Sequence, residues 1–170
     1  MPRFITSTAT ALALGLAAPA AADSAAMASL NTADGQPAGT VQIRDANGGT
    51  LFHAELSGLA PGWHSFHVHE TGSCEDGFKA AGGHYAPDGN GHGLMAEDGA
   101  HAGDLPNIYV HETGEAKAEF YSARLTVMEG DAPLMDEEGS AIMIHAQPDT
   151  HQSEAEAGDR VACGVITQSK

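Results

Sequence analysis

The sequence predicts an all-β domain, an antiparallel sandwich or barrel, and three observations carry that expectation. Apolar and polar residues alternate in short runs, and clusters of Gly, Pro, Asn and Asp separate one run from the next. Beyond the N-terminal segment, no window holds an apolar stripe at the helical period of 3.6 residues. The 170 residues suffice for one domain with a substantial core and are short for two.

Residues 1–22 stand apart from that domain. They carry one cation, Arg3, and no acid; an Ala/Leu-rich run covers residues 11–18, followed by Pro19 and the small residues Ala20, Ala21 and Ala22. This is the plan of a secretory signal peptide, and its apolar run is too short to span a bilayer. The expected cleavage after Ala22 leaves residues 23–170 as an exported, periplasmic domain.

Within the domain, the first alternating run is Thr40-Val41-Gln42-Ile43, and Asp45-Ala46-Asn47-Gly48-Gly49 reads as a turn. Phe52, Ala54 and Leu56 fall on one face of the next run, with His53 and Glu55 on the other. Gly58 to Gly62 break it, and residues 63–69 resume as one strand. Further runs cover residues 108–111, 118–127, 141–145 and 161–166. Two stretches, residues 71–107 and 148–159, have no period and read as long loops, which in a compact domain are functional or disordered.

Charge narrows the function. Seven Lys and Arg face 23 Asp and Glu, a net charge of −16, and removal of Arg3 with the leader makes the balance one unit more acidic. Nucleic acids and anionic membranes need cations to replace their counterions, so neither is an expected partner. The two cysteines, Cys74 and Cys163, most simply form one disulfide in an exported chain.

The ten histidines are placed for metal. His67 and His69 sit at i and i+2, so on a strand both imidazoles face the same side. His84, His92, His101 and Asp104 follow at spacings of 8, 9 and 3 in a Gly-rich loop, a closed tetrahedral set that suits zinc. His145 ends the run at 141–145 and can return toward His67 and His69. Imidazole-only coordination with an open position suits copper. His53, His111 and His151 are isolated and read as solvated, and the scattered Met residues read as core or surface.

Four motifs then carry a resemblance. Trp63-His64-Ser65-Phe66-His67-Val68-His69-Glu70, Gly82-Gly83-His84-Tyr85-Ala86-Pro87, His101-Ala102-Gly103-Asp104-Leu105-Pro106-Asn107 and Arg160-Val161-Ala162-Cys163-Gly164-Val165-Ile166 resemble, in order and spacing, the copper/zinc superoxide dismutase family of bacterial periplasmic type. The resemblance extends from about Ala28 to Ile166. It implies a Greek-key β-sandwich or flattened barrel of about eight strands, with long metal-binding and electrostatic loops.

The resemblance also implies roles. His67, His69, His84 and His145 become ligands of a copper ion, and His84, His92, His101 and Asp104 those of a zinc ion, with His84 a shared imidazolate. Asp149 becomes the outer carboxylate that links His67 and His92, Arg160 the cation that attracts and orients the anion, and Cys74 and Cys163 a disulfide. His64 takes a structural hydrogen bond. The implied reaction converts superoxide anion to oxygen and hydrogen peroxide by Cu(II)/Cu(I) cycling, protecting the cell envelope. The alternative is a periplasmic copper- and zinc-binding protein of the same fold without significant activity; loss of Arg160 or of a copper ligand would favour it, and all are present. The family includes monomers and homodimers, and the sequence leaves both open.

Two features depart from the family pattern. Ser65 stands where glycine is usual, beside the copper-binding strand. Glu154, Glu156 and Asp159 place carboxylates just before Arg160, where neutral or basic residues are more frequent, leaving Lys79 as the remaining cation for steering.

Overall fold

The computed structural model describes Met1, residues 26–154 and residues 156–169; the expected signal peptide lies outside the described residues. Nine strands run in chain order: β1 (Ala26–Thr32), β2 (Pro37–Ala46), β3 (Gly49–Leu56), β4 (Gly62–His64), β5 (Phe66–His69), β6 (Ile108–Val110), β7 (Ala116–Ser122), β8 (Ala141–His145) and β9 (Arg160–Gln168). One short 3-10 turn, Lys79–Ala81, is the only helical element among the described residues. Seven strands form one antiparallel sheet in the order β5-β8-β9-β1-β2-β3-β7, and β4 pairs with β6. The all-β expectation holds.

The sheet curls on itself. β5 and β7 are its two ends, yet Phe66 of β5 and Phe120 of β7 pack with ring centroids 5.0 Å apart. Such closure follows from the right-handed twist of strands and from the apolar face each strand must bury. Ala26, Ala28 and Leu30 of β1, Val41 and Ile43 of β2, and Phe52, Ala54 and Leu56 of β3 point to the shared core. Each large side chain buried there contributes roughly 1.5–3 kcal/mol. In the connection from β7 to β8, Leu125, Val127 and Leu134 are buried and belong to the same core.

Three differences from the sequence expectation have physical causes. Residues 63–69 form two strands, because the chain breaks at Ser65: β4 pairs with β6 while β5 pairs with β8. That break and the added β1 turn the seven expected runs into nine strands. β7 ends at Ser122; Leu125 and Val127 alternate like a strand and are buried in the core, but only an isolated bridge joins Thr126 to Pro133. β1 lies outside the expected runs, since Ala, Ser and Asn are weak strand formers; its pairing with both β2 and β9 decides it.

The disulfide joins Cys74 to Cys163, 89 residues apart in sequence. It ties the loop after β5 to the middle of β9.

Candidate metal centre

The loop of residues 71–107 is held against β5 by main-chain bonds. β5 is an end strand, so one edge of it is open to new partners. Val68 N–H donates to Gly103 O, Tyr85 N–H to Val68 O and Gly103 N–H to Tyr85 O, each at 2.9 Å. Glu70 N–H donates to Gly83 O at 3.0 Å, and the Glu70 carboxylate accepts Gly83 N–H at 2.7 Å. Position 103 requires glycine: a Cβ there would lie 2.3 Å from Val68 O. On β5, Phe66 and Val68 join the core cluster, and the alternation sends His67 and His69 to the opposite face. The loop covers that face, so all four residues are buried.

Four imidazoles converge beneath the loop. One nitrogen from each of His67, His69, His84 and His145 lies within 4.8 Å of the others. Their outer nitrogens are taken, which fixes the inner ones. His69 Nδ1 donates to Gly82 O at 3.0 Å and His145 Nδ1 donates to Gly158 O at 3.3 Å. Each neutral ring then keeps a lone pair on Nε2, and these two Nε2 atoms face each other at 3.4 Å. His67 donates from Nε2 to Asp149 at 2.9 Å and leaves a buried Nδ1 with no hydrogen-bond partner. Lone pairs aimed at one another without an intervening proton repel, and a cation between them turns repulsion into coordination. The donor set fits copper on that ground.

Burial keeps these rings neutral. It pushes His69 down to about 2, aided by His84 and Arg160. It lowers His145 to about 3, with help from His67. His67 falls to about 4, because burial outweighs its bond to Asp149.

A second set adjoins the first. Donor atoms of His67, His84, His92 and Asp104 also lie within 4.8 Å of one another. His84 lies in both sets, with its ring 4.0 Å from that of His67 and 5.2 Å from that of His92. Its Nδ1 donates to Asp104 Oδ1 at 2.8 Å, so its Nε2 points the other way. His101 is not in this group of four; its Nδ1 is buried without a hydrogen bond and lies 3.3 Å from Asp104 Oδ1. His92 Nε2 sits 2.9 Å from Asp149 Oδ2, and its Nδ1 contacts Gln152 O at 2.7 Å, a carbonyl that an ion at Nδ1 has to displace. Burial works against the charge on Asp104, but His84, the Gly93 N–H at 2.8 Å and His101 hold its carboxyl down at about 2. One carboxylate with three imidazoles suits zinc.

Asp149 connects the two sets. Its Oδ2 is 2.9 Å from His67 Nε2 and 2.9 Å from His92 Nε2, and its Oδ1 accepts His151 N–H at 2.7 Å. Burial opposes its charge; those bonds overcome the penalty and hold the carboxyl well below the usual carboxylate range.

Arg160 opens β9 beside the imidazole cluster. Its guanidinium donates to Phe78 O at 2.5 Å and to Gly82 O at 2.6 Å. Gly82 O is the same carbonyl that accepts His69 Nδ1. Burial depresses the guanidinium's pKa slightly from its usual value, and it stays charged at any pH the protein meets.

The remaining expectations resolve as follows. His64 bridges two carbonyls, His145 O and Ala60 O, at 2.7 Å each. Ser65 is buried, and its hydroxyl donates to Gln147 O at 2.8 Å, so a side chain in place of glycine is accommodated with its polar atom satisfied. His53 lies between Glu55 and Glu119 on the outer sheet face, 3.9 and 3.5 Å away. His151, read from sequence as solvated, is half-buried and lies 3.3 Å from Asn107. Glu154, Glu156, Asp159 and Lys79 are exposed. Asn107 escapes sequence reasoning; a polar residue closing a motif carries no ligand signature, and only the fold shows what it touches.

Known proteins resemble this chain along most of its length. The family model described as copper/zinc superoxide dismutase (SODC) matches residues 37–166. The superoxide dismutase (Cu-Zn) of Caulobacter vibrioides is 44% identical over 147 residues, covering 83% of this chain and 84% of that protein. The one from Photobacterium leiognathi is 40% identical over 170 residues, covering 92% and 94%. Among solved structures, the Cu/Zn superoxide dismutase from Brucella abortus superposes with a TM-score of 0.68 at 31% identity, covering 83% of this chain and 98% of that one. A SOD-like protein from Bacillus subtilis reaches 0.77 at 32% identity, covering 82% and 96%.

Proposed function

The chain belongs to the copper/zinc superoxide dismutase family and is a superoxide dismutase, and on that footing we propose how its residues divide the work. His67 Nδ1 and the Nε2 atoms of His69, His84 and His145 hold copper. His84 Nδ1, His92, His101 and Asp104 hold zinc. The observation that carries this reading is the pair of adjoining donor sets, which share His67 and His84; of these two, His84 turns its Nδ1 to Asp104 and His67 its Nε2 to Asp149.

Copper, when bound, supplies the one-electron couple by which one superoxide is oxidised to oxygen and another reduced to peroxide; zinc has no redox chemistry and serves structure and charge. The chain's own residues do the rest. Arg160 presents a fixed positive charge to the approaching anion, and the carbonyls of Phe78 and Gly82 hold its guanidinium beside His69. His84 Nε2 would carry one of the two protons that peroxide requires only while that nitrogen is not a ligand. Asp149 keeps His67 and His92 oriented by accepting from both. Protein loaded with copper and zinc is expected to consume superoxide, and His145→Ala to lose copper and that activity while retaining zinc. A His145→Ala protein that keeps full activity would overturn the copper assignment.

We further propose export to the periplasm, with cleavage after Ala22 and a mature chain starting at Asp23. The leader-like residues 1–22 and a disulfide that persists in oxidising compartments support this. No helix of the described residues is long and apolar enough to cross a membrane. Mass spectrometry of periplasmic protein should find Asp23 first; an intact Met1 would contradict the cleavage.

The acidic residues before Arg160 carry a kinetic proposal. Glu154, Glu156 and Asp159 are exposed, and they lower the potential along the anion's approach and slow its capture. A unit charge several ångströms from the path, at an effective dielectric near 20, contributes on the order of 1–3 kcal/mol before screening. Screening acts over about 8 Å at physiological ionic strength. Replacing Glu154 and Glu156 with Gln should raise the second-order rate at low salt, and the rate should converge on that of the parent at high salt. Superimposed rate-versus-salt curves would show that these carboxylates do not act on the substrate.

A further inference from the structure

Asn107 ends the metal loop just before β6, and its side chain is spent on the opposite loop. Nδ2 donates to Asp149 O at 2.9 Å, and Oδ1 accepts Asp149 N–H at 2.9 Å. A side-chain amide offers donor and acceptor side by side, and here both meet the main chain of one residue. The remaining Nδ2 proton faces His151 Nε2 at 3.3 Å. His151 has φ 60, a left-handed conformation that is uncommon for a residue with a side chain. Its main-chain N–H, however, donates to Asp149 Oδ1. The turn that carries Asp149 is therefore gripped at the peptide groups of 149 and at the ring of 151, both by one amide.

We propose that Asn107 is a positioning residue for both metal sites: by clamping the main chain of Asp149 it fixes the carboxylate that orients His67 and His92. The carboxylate reaches the two rings through one oxygen, Oδ2, at 2.9 Å each. A rotation or shift of the Asp149 backbone cannot favour one ring without leaving the other. Loss of the clamp therefore loosens a copper-side and a zinc-side histidine together, although Asn107 is bonded to neither. Asp cannot take its place without cost, because a carboxylate has no proton for Asp149 O or His151 Nε2.

A tie between two loops could also serve stability alone, and a double-mutant cycle separates the roles. The inference rests on His92 being a zinc ligand and Asp149 its orienting partner. Zinc affinity is measured by chelator competition for the parent, Asn107→Ser, Asp149→Ala and the double variant. The unfolding midpoints of the metal-free proteins are measured in parallel. Outer partners of metal ligands typically contribute 10–100-fold, so Asn107→Ser should weaken zinc by about tenfold or more in the parent. In the Asp149→Ala background the same change should alter zinc affinity by less than about twofold, whatever it does to the midpoint. The Cu(II) electron paramagnetic resonance spectrum should shift in Asn107→Ser, reporting on His67. Asn107→Asp, of the same shape, is read alongside so that the result does not hang on the folding of one variant; it too should weaken zinc. A parent chain without a tight zinc site overturns the ligand reading and this inference with it. A tight parental site that Asn107→Ser and Asn107→Asp leave unchanged, or that weakens equally in both backgrounds, overturns the inference alone.

Discussion

Replacing His84 with alanine will weaken copper and zinc together and abolish measurable dismutation. His84, with His67, belongs to both donor sets, and its two nitrogens face different ways. Nδ1 lies 2.8 Å from Asp104, and Nε2 is directed toward His67, His69 and His145. Removal leaves three donors on each side and takes from Asp104 the strongest bond that keeps it ionised. Partners beyond the ligands are worth 10–100-fold in affinity, so a direct ligand should cost more than about 100-fold for each metal. His145→Ala removes a donor from the first set alone and should spare zinc. Metal content after dialysis against a weak chelator, with the Cu(II) spectrum, distinguishes the variants. A His84→Ala protein with normal copper content and an unchanged spectrum would show that the sets are independent.

Acid should unfold the metal-free protein well before it affects an ordinary acidic domain. His67, His145 and His69 titrate at about 4, 3 and 2 when folded, against about 6.5 in an unfolded chain. Their folded values are depressed, so below pH 6.5 the unfolded chain takes up protons that the native state refuses. Stability is full above that pH and declines as pH falls toward the folded values. Asp104, held down at about 2, and Asp149, also depressed, act in the same direction at still lower pH. Each histidine removes up to roughly 1.4 kcal/mol per pH unit, so the three together set an upper slope of about 4 kcal/mol per unit between pH 6.5 and 4. Domains hold only about 5–15 kcal/mol in total, so a large share of it is lost by about pH 5. Metal ions compete for the same lone pairs, and loaded protein should resist to lower pH. Urea midpoints of the disulfide-intact, metal-free chain between pH 7.5 and 5 test this; a flat series would show that the histidines are not neutral and buried in the native state.

Much of this is legible in the sequence because the relevant signals are local. A His-x-His pair on a strand puts two rings on one face whatever surrounds it, and the spacings within the Gly-rich loop mark ligands without any knowledge of the path the loop takes. Alternation places β2, β3 and β8 closely. What stays hidden depends on partners distant in the chain. β1 has small and polar side chains and becomes a strand only because β2 and β9 flank it. The break at Ser65 is invisible in an unbroken alternating run; it arises because β4 and β5 pair with different strands, while Ser65 itself bonds to Gln147. In sequence His151 is one more surface histidine and Asn107 a polar residue at the end of a motif; only the meeting of the two loops gives either a partner.

The position of β5 in the sheet sets an order of assembly. Among the described residues β5 has β8 as its only neighbour in the large sheet, β8 is joined to the rest through β9, and β9 reaches the early strands through β1. His67 and His69 are made early in the chain; the loop of residues 71–107 bonds to their strand, but the place of that strand in the large sheet waits for β8 and β9, from the last third of the sequence. A nascent polypeptide emerging N-terminus first therefore lacks the full set of four imidazoles until His145 has been made. A chain that stops short of residue 141 lacks His145 and the strands β8 and β9 that seat β5 in the sheet. The proposed copper set is therefore complete only when the last strands of the sheet are in place.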